Sequence, residues 1–164
     1  MPEISDAQKI LAALGMPSAQ QNEISALTLL ALCNLKPNDS WQSAQRQSTT
    51  VSKGIMAFIH DAYGRAYAPN TRETFRRQVL HQFVQGRIAD YNPDNPSLPT
   101  NSPRAHYAIS EAALKVIRTY ETDAWNDAVE KFKSTYSSLM ALYQSSRQAT
   151  GIALTLADGS TLIL

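Results

Sequence analysis

The stretch of residues 68–85 constrains the fold more than any other, because it has the pattern of an amphipathic helix. Its apolar residues recur every three or four positions and predict one buried face, made of Phe75, Val79, Leu80, Phe83 and Val84. Asn70 is a good N-cap residue, and Glu73 stands three positions later, so the two predict a capping box. A helix is therefore expected to begin near Asn70.

The opposite face of this helix is polar and is predicted to hold no carboxylate: Thr74, Arg77, Gln78, His81 and Gln85. Arg72, Arg76 and Arg77 fall in the first two turns, where the helix dipole disfavours cations. An anionic partner would offset that cost. The alternative is an ordinary solvated face, which is what most polar helix faces are.

The segments around this helix predict a winged helix-turn-helix. A preceding helix, over about residues 52–63, ends at Gly64 and is joined to residues 68–85 by a short connection. After Gly86, candidate strands at 87–91 and 104–109 flank a loop with four prolines, which fits neither a helix nor a central strand. Helix, turn, helix and hairpin follow one another in the order of a winged helix.

The remaining segments predict a mainly α protein. Residues 24–35 form a core helix, 36–49 a loop, and 122–148 a long C-terminal helix. A heptad seam on the long helix is either packed on its own domain or pairs with a second chain, and consists of Trp125, Val129, Phe132, Tyr136, Leu139 and Tyr143. Alternation around an Asp-Gly pair predicts a terminal β-hairpin. We expect a DNA-binding domain at 1–120, and the long helix and hairpin at 121–164.

Charge and composition narrow the function. Residues 46–118 carry ten basic and five acidic side chains, a net charge of +5, whereas the segments on either side are each −2. This segregation favours a polyanionic partner. The one cysteine, Cys33, lies in an apolar helix and is expected to be a core residue. The chain has neither a signal peptide nor an apolar run that could span a bilayer, which predicts a cytoplasmic protein without a membrane partner.

The sequence lacks the patterns of familiar catalytic sites. No Glu or Asp precedes a Lys by two residues, so the acidic and lysine cluster of many metal-dependent nucleases is absent. His60, His81 and His106 lack the spacing of metal ligands. Phosphate-binding glycine loops and nucleophile elbows are also absent. We therefore expect this chain to bind rather than to react.

Three runs, at 26–37, 67–78 and 101–107, resemble the N-terminal helix-turn-helix region of the BsuBI/PstI restriction endonucleases. The resemblance implies a type II endonuclease of a restriction-modification system that recognises CTGCAG and has a Mg²⁺-dependent nuclease domain C-terminal to this region. The chain stops near the point where that domain would begin. We therefore expect sequence-specific binding of double-stranded DNA, no cofactor in this chain, and no cleavage by the chain alone.

Within that interpretation, the predicted DNA-binding residues are divided by their position. Those expected to face base edges are Thr71, Thr74, Arg77, Gln78 and His81. Arg72 and Arg76 lie nearer the buried face, so phosphate contacts, or pairing with Glu73 or Asp90, suit them better. Asn70 and Arg104 complete the set. The expected partners are duplex DNA, a second copy of the chain and a C-terminal nuclease domain.

Two alternatives come from other functional classes. The first is a protein-interaction or dimerisation module, in which the heptad seam is the functional surface and the basic helix is merely solvated. The second is a catalytic domain with an unfamiliar site. Salt-dependent binding to duplex DNA distinguishes the leading hypothesis from the first alternative.

Overall fold

In the computed structural model, residues 3–92 and 105–135 are described. The chain begins with two packed helices, α1 (Ile4–Ala13) and α2 (Glu23–Leu32). The side chain of Asn22 caps α2 by accepting a hydrogen bond from the Ser25 backbone N–H at 2.9 Å. Nearly every residue of α2 is buried, so the predicted core helix is confirmed.

The helix-turn-helix is built from two helical segments of mixed geometry. The first, α3, is a wide π turn (Val51–Met56) continued by an α-helix (Ala57–Tyr63). It ends at Gly64, whose φ of 67° is left-handed, a conformation that glycine adopts without steric cost. The predicted end of this helix is thereby confirmed.

The second segment, α4, follows after a short connection and contains the predicted central helix. It begins with a 3₁₀ turn (Pro69–Thr71) and an α-helical turn (Arg72–Thr74). A second π turn (Phe75–Leu80) and a final α-helical stretch (His81–Gln85) complete it. A π turn contains one residue more than an α turn, so side chains beyond it depart from regular helical spacing.

The predicted capping box at the start of α4 is wrong. Ala68 occupies the N-cap position in an extended conformation, and Pro69 is the first helical residue. Proline suits that position because its φ is already helical and it has no N–H to satisfy. Asn70 therefore lies inside the first turn, no side chain caps the helix, and Glu73 bonds to Arg76 instead.

A three-stranded antiparallel sheet completes the winged helix. It consists of β1 (Thr49–Thr50), β2 (Ala89–Tyr91) and β3 (His106–Ile109), in the order β1-β3-β2. The strands of the predicted hairpin are present, with Asp90 opposite Ala108. The sequence pattern predicts a loop where β1 lies, and this strand is only two residues long. The proline-rich loop between β2 and β3 lies outside the described residues.

The base of the hairpin is fixed by Asn92 and Ser110. Asn92 is fully buried with a φ of 46°, and it exchanges hydrogen bonds of 2.7 and 2.8 Å with the backbone of His106. Ser110 begins helix α5 (Glu111–Ile117), accepting from the Ala113 N–H at 3.1 Å and donating to the Arg87 carbonyl at 2.7 Å. These contacts connect the hairpin to the end of α4.

The core lies between the helices and the sheet. Four of the five residues predicted for the apolar face of α4, Phe75, Val79, Leu80 and Phe83, are each at most 1% exposed, whereas Val84 is half-buried. Together with the strands of the hairpin, this confirms the mainly α, winged helix-turn-helix fold class. Within residues 3–92 and 105–135, no helix is both long and apolar enough to cross a membrane.

Residues 125–135 form the last described helix, α6. The chain divides into two compact units, Met1–Phe132 and Lys133–Leu164. In the first unit, Val129 and Phe132 are buried in the core, 8% and 6% exposed, so these two seam positions pack on their own domain. The seam from Tyr136 onward, the rest of the predicted long helix and the terminal hairpin lie outside the described residues.

Candidate DNA-binding surface

Helix α4 presents a polar surface to solvent. Arg77, Gln78, His81 and Gln85 are exposed, as the sequence pattern predicts, whereas Thr74 is half-buried. Thr74 is the last residue of the α turn Arg72–Thr74, directly before the π turn.

Glu73 also lies on this surface, which corrects the expectation of a face without a carboxylate. Its Oε1 and Oε2 accept hydrogen bonds from Nε and Nη2 of Arg76, at 3.1 and 2.9 Å. Oε2 is also 3.1 Å from Nε of Arg77. The anionic partner that the three arginines require is therefore, in part, supplied by the helix itself.

Of the roles left open for Arg76, a phosphate contact or pairing with Glu73 or Asp90, the structure shows the pairing with Glu73. Asp90, the other candidate partner, instead forms an ion pair of 2.8 Å with Arg46. Hydrogen bonds from Arg76, followed by the positive charges of Arg76, Arg77 and Arg72, lower the pKa of Glu73 against the opposing effect of desolvation. Glu73 is accordingly ionised at neutral pH, and the two arginines share its negative charge.

The two arginines differ in how far they can reach a ligand. The Arg76 side chain is 20% exposed and is fixed by two hydrogen bonds. The Arg77 side chain is 74% exposed. Arg77 is therefore the more accessible cation on this surface.

A groove of about 500 Å³ runs between α4 and the hairpin. Its walls come from both elements and consist of Arg76, Arg77, His81, Val84, Tyr91 and Tyr107. The rings of Tyr91 and Tyr107 are 5.1 Å apart. Burial raises the pKa of Tyr107 to about 12, so its hydroxyl stays protonated at neutral pH. Cations beside aromatic rings can contact both the phosphates and the sugars or bases of a nucleic acid.

The two tyrosines were not identified as site residues from the sequence. Tyr91 and Tyr107 face each other across β2 and β3, and that register follows only from the strand pairing. Aromatic residues near matching positions of the predicted hairpin were the available signal.

The other predicted site residues lie at the start of α4 or in the wing. Asn70 is exposed, and Thr71 and Arg72 are half-buried. Arg104 lies outside the described residues. The contribution of each of these residues to DNA binding stays a prediction.

Helix α4 is also supported from the N-terminal part of the chain. The Gln20 side chain donates a hydrogen bond of 3.2 Å to the backbone carbonyl of Gln78, inside the π turn. Gly86, just after α4, lies against Met16, because a Cβ atom there would be 2.8 Å from the methionine sulfur. The position of α4 is therefore fixed on two sides.

Comparison with known proteins identifies this arrangement. Residues 1–141 match the family model of the BsuBI/PstI restriction endonuclease HTH domain. The chain belongs to this family. The resemblance seen in the sequence is thereby confirmed.

Relatives of this BsuBI/PstI HTH domain include longer enzymes. Type II restriction enzyme BsuBI of Bacillus subtilis is 40% identical over 161 residues, 98% of this chain and 51% of that enzyme. Type II restriction enzyme AplI of Arthrospira platensis is 30% identical over 144 residues, 88% of this chain and 44% of that enzyme. This chain therefore spans about half the length of the curated relatives it matches.

A solved structure supports the same assignment. The structure of the SdaI restriction endonuclease superposes with a TM-score of 0.79 at 36% identity, covering 96% of this chain and 49% of that one. The winged helix-turn-helix of this BsuBI/PstI HTH domain is thus shared with a solved restriction endonuclease.

The Mg²⁺ that the family implies does not fit the side chains described. In residues 3–92 and 105–135, no group of three or more His, Cys, Asp or Glu side chains is placed to hold a metal ion. The carboxylate of Glu73, on the exposed surface of α4, is bound to arginines. We assign no metal-dependent step to these residues.

Proposed function

We propose that this BsuBI/PstI HTH domain binds duplex DNA by placing α4 in the major groove, as the sequence-reading module of a type II restriction endonuclease. The observation that carries the proposal is the exposed polar surface of α4, the second helix of a helix-turn-helix whose other face is core. Helices in this position read base edges in the major groove. The net charge of +5 over residues 46–118 favours the same partner.

The side chains divide into base-reading and phosphate-binding groups. Arg77, Gln78 and His81 are exposed on α4 and suit base edges, since Arg pairs with guanine and Gln with adenine through two hydrogen bonds each. Thr71 and Thr74, closer to the core, contact bases at the edge of the same surface. Arg72 binds a phosphate at the edge of the DNA major groove, with Asn70 and Arg104 in support, whereas Arg76 is held by Glu73.

The target we propose is CTGCAG, and cleavage is assigned to a separate Mg²⁺-dependent nuclease domain C-terminal to this one. Two relatives named as type II restriction enzymes are about twice as long as this chain, which supports such a division. A palindromic target also suits a homodimer, in which each copy reads one half. The chain alone therefore binds without cutting.

Salt-dependent binding tests the proposal. A labelled CTGCAG duplex should bind more tightly than a duplex of the same base composition in scrambled order. The logarithm of both affinities should fall linearly with the logarithm of salt concentration, because bound phosphates release counterions. Incubation with Mg²⁺ should leave both duplexes intact. Binding that is absent, or independent of salt, would refute DNA recognition by this surface.

The alternative function, binding of a protein partner through the heptad seam, is less well supported by the structure than by the sequence. Val129 and Phe132 are buried in the core of the first unit and are not available to a partner. The seam positions that would have to form such an interface begin at Tyr136. DNA binding through α4 is the better-supported function.

A further inference from the structure

The carboxylate of Glu73 is unusual for a surface meant to meet DNA. It lies on the exposed side of α4 and contacts both Arg76 and Arg77. A fixed negative charge at this place repels the phosphates of any duplex, whatever its sequence. Glu73 therefore lowers the same electrostatic attraction that the arginines provide.

Glu73 holds the two arginines in different ways. Arg76 is bound through two hydrogen bonds, an arrangement that fixes the plane of the guanidinium. Arg77 approaches with its Nε at 3.1 Å and remains largely exposed. A guanine can accept two hydrogen bonds from the terminal Nη groups of Arg77 while Nε stays beside Glu73.

We propose that Glu73 is a specificity-determining residue: it weakens binding to random duplex through charge, and it positions Arg77 for a guanine of the target. On a random duplex, where the protein contacts only phosphates, the repulsion by Glu73 weakens binding and no contact offsets it. On the target duplex, the hydrogen bonds from the oriented Arg77 to guanine offset the repulsion. This inference rests on the proposed DNA-binding function and adds a residue that acts through Arg77.

Replacing Glu73 with glutamine tests the inference. Glu73→Gln removes the charge at nearly constant size, so binding to scrambled duplex should tighten about threefold, the effect of a unit-charge repulsion across about 7 Å of water. Binding to the preferred duplex should tighten less or weaken. The ratio of the two affinities should therefore fall, and the salt dependence on scrambled duplex should become steeper.

Two further variants separate this role from a general charge effect or a structural one. Glu130→Gln makes the same charge change at an exposed position of α6 and should leave the affinity ratio unchanged. Glu73→Asp keeps the charge and should keep the low affinity for scrambled duplex. The preferred duplex is CTGCAG, or else the consensus that the wild type selects from a randomised pool. Thermal melting establishes that each variant is folded.

The possible failures are distinguishable. If the wild type shows no salt-dependent binding to either duplex, the proposed function is refuted. If the wild type binds but Glu73→Gln changes both duplexes by the same factor, as Glu130→Gln does, the role of Glu73 is refuted while DNA binding stands. A rise in scrambled-duplex affinity in Glu73→Asp equal to that in Glu73→Gln would show that the effect comes from helix packing, which also overturns the inference.

Discussion

Replacing Arg77 with alanine should reduce sequence discrimination while leaving the fold intact. The Arg77 side chain is 74% exposed, and its ion pair with Glu73 joins neighbours one helical turn apart. Exposed pairs of this kind contribute little to stability, because solvent screens the charges and both long side chains lose rotamer freedom. A guanidinium that donates two hydrogen bonds to guanine O6 and N7 contributes about 1–3 kcal/mol of discrimination. The loss of specificity should thus be larger than the loss of stability.

The binding measurement has a clear expected size. A loss of about 1–3 kcal/mol corresponds to roughly a 5- to 150-fold weaker affinity for the preferred duplex. Affinity for scrambled duplex should change much less. Fluorescence anisotropy with both duplexes at several salt concentrations gives these affinities, and thermal melting measures stability in parallel.

Arg72→Ala is the matched comparison, because it removes the same charge from the start of the same helix. Arg72 is half-buried in the short turn Arg72–Thr74, and it is the proposed phosphate contact. Its loss should weaken all duplexes alike and lower the salt slope by about one. If both variants instead weaken preferred and scrambled duplex equally, α4 clamps phosphates only, and sequence reading belongs to the loop after Asn92 or to another domain.

Three further predictions concern the scaffold. Phe132→Glu should abolish cooperative melting rather than produce a folded monomer, because it places a charge in the core. A variant that is folded by circular dichroism, and whose mass by light scattering differs from that of the wild type, would contradict this. Cys33 should react with a thiol reagent at pH 8 only after denaturation, since it is fully buried and burial raises its pKa to about 12. Rapid labelling of the folded protein would refute the assignment of Cys33 as a core residue. Ser110→Ala should lower the unfolding free energy by about 1–2 kcal/mol in urea titrations, through loss of the α5 cap; an unchanged midpoint would show that the cap is dispensable.

The strongly periodic elements were predictable from the sequence. The buried face of α4, the apolar helix α2 and the glycine that ends α3 all follow from local patterns, and each is present. The hairpin strands were predictable because turn-forming prolines separate them. These features depend on neighbours within a few residues along the chain.

The features that were missed depend on distant partners or on competing local bonds. Strand β1 is two threonines long and becomes a strand by pairing with Tyr107 and His106, far along the chain. The expected cap at Asn70 does not form because Pro69 begins the helix two residues earlier than an Asn70 cap requires, and because arginines bind Glu73. The heptad spacing gave no means of deciding between core and partner at Phe132, because both require the same apolar residues.

The hydrogen bond from Gln20 to the carbonyl of Gln78 has a consequence for attempts to change which DNA a domain of this kind binds. Transplanting α4 by itself into another scaffold leaves behind the amide that bonds inside its π turn. The grafted segment is then free to revert to regular α-helical winding, which rotates His81 and Gln85 relative to Arg77. The unit to be transferred therefore includes the turn Ser18–Gln20 as well as α4.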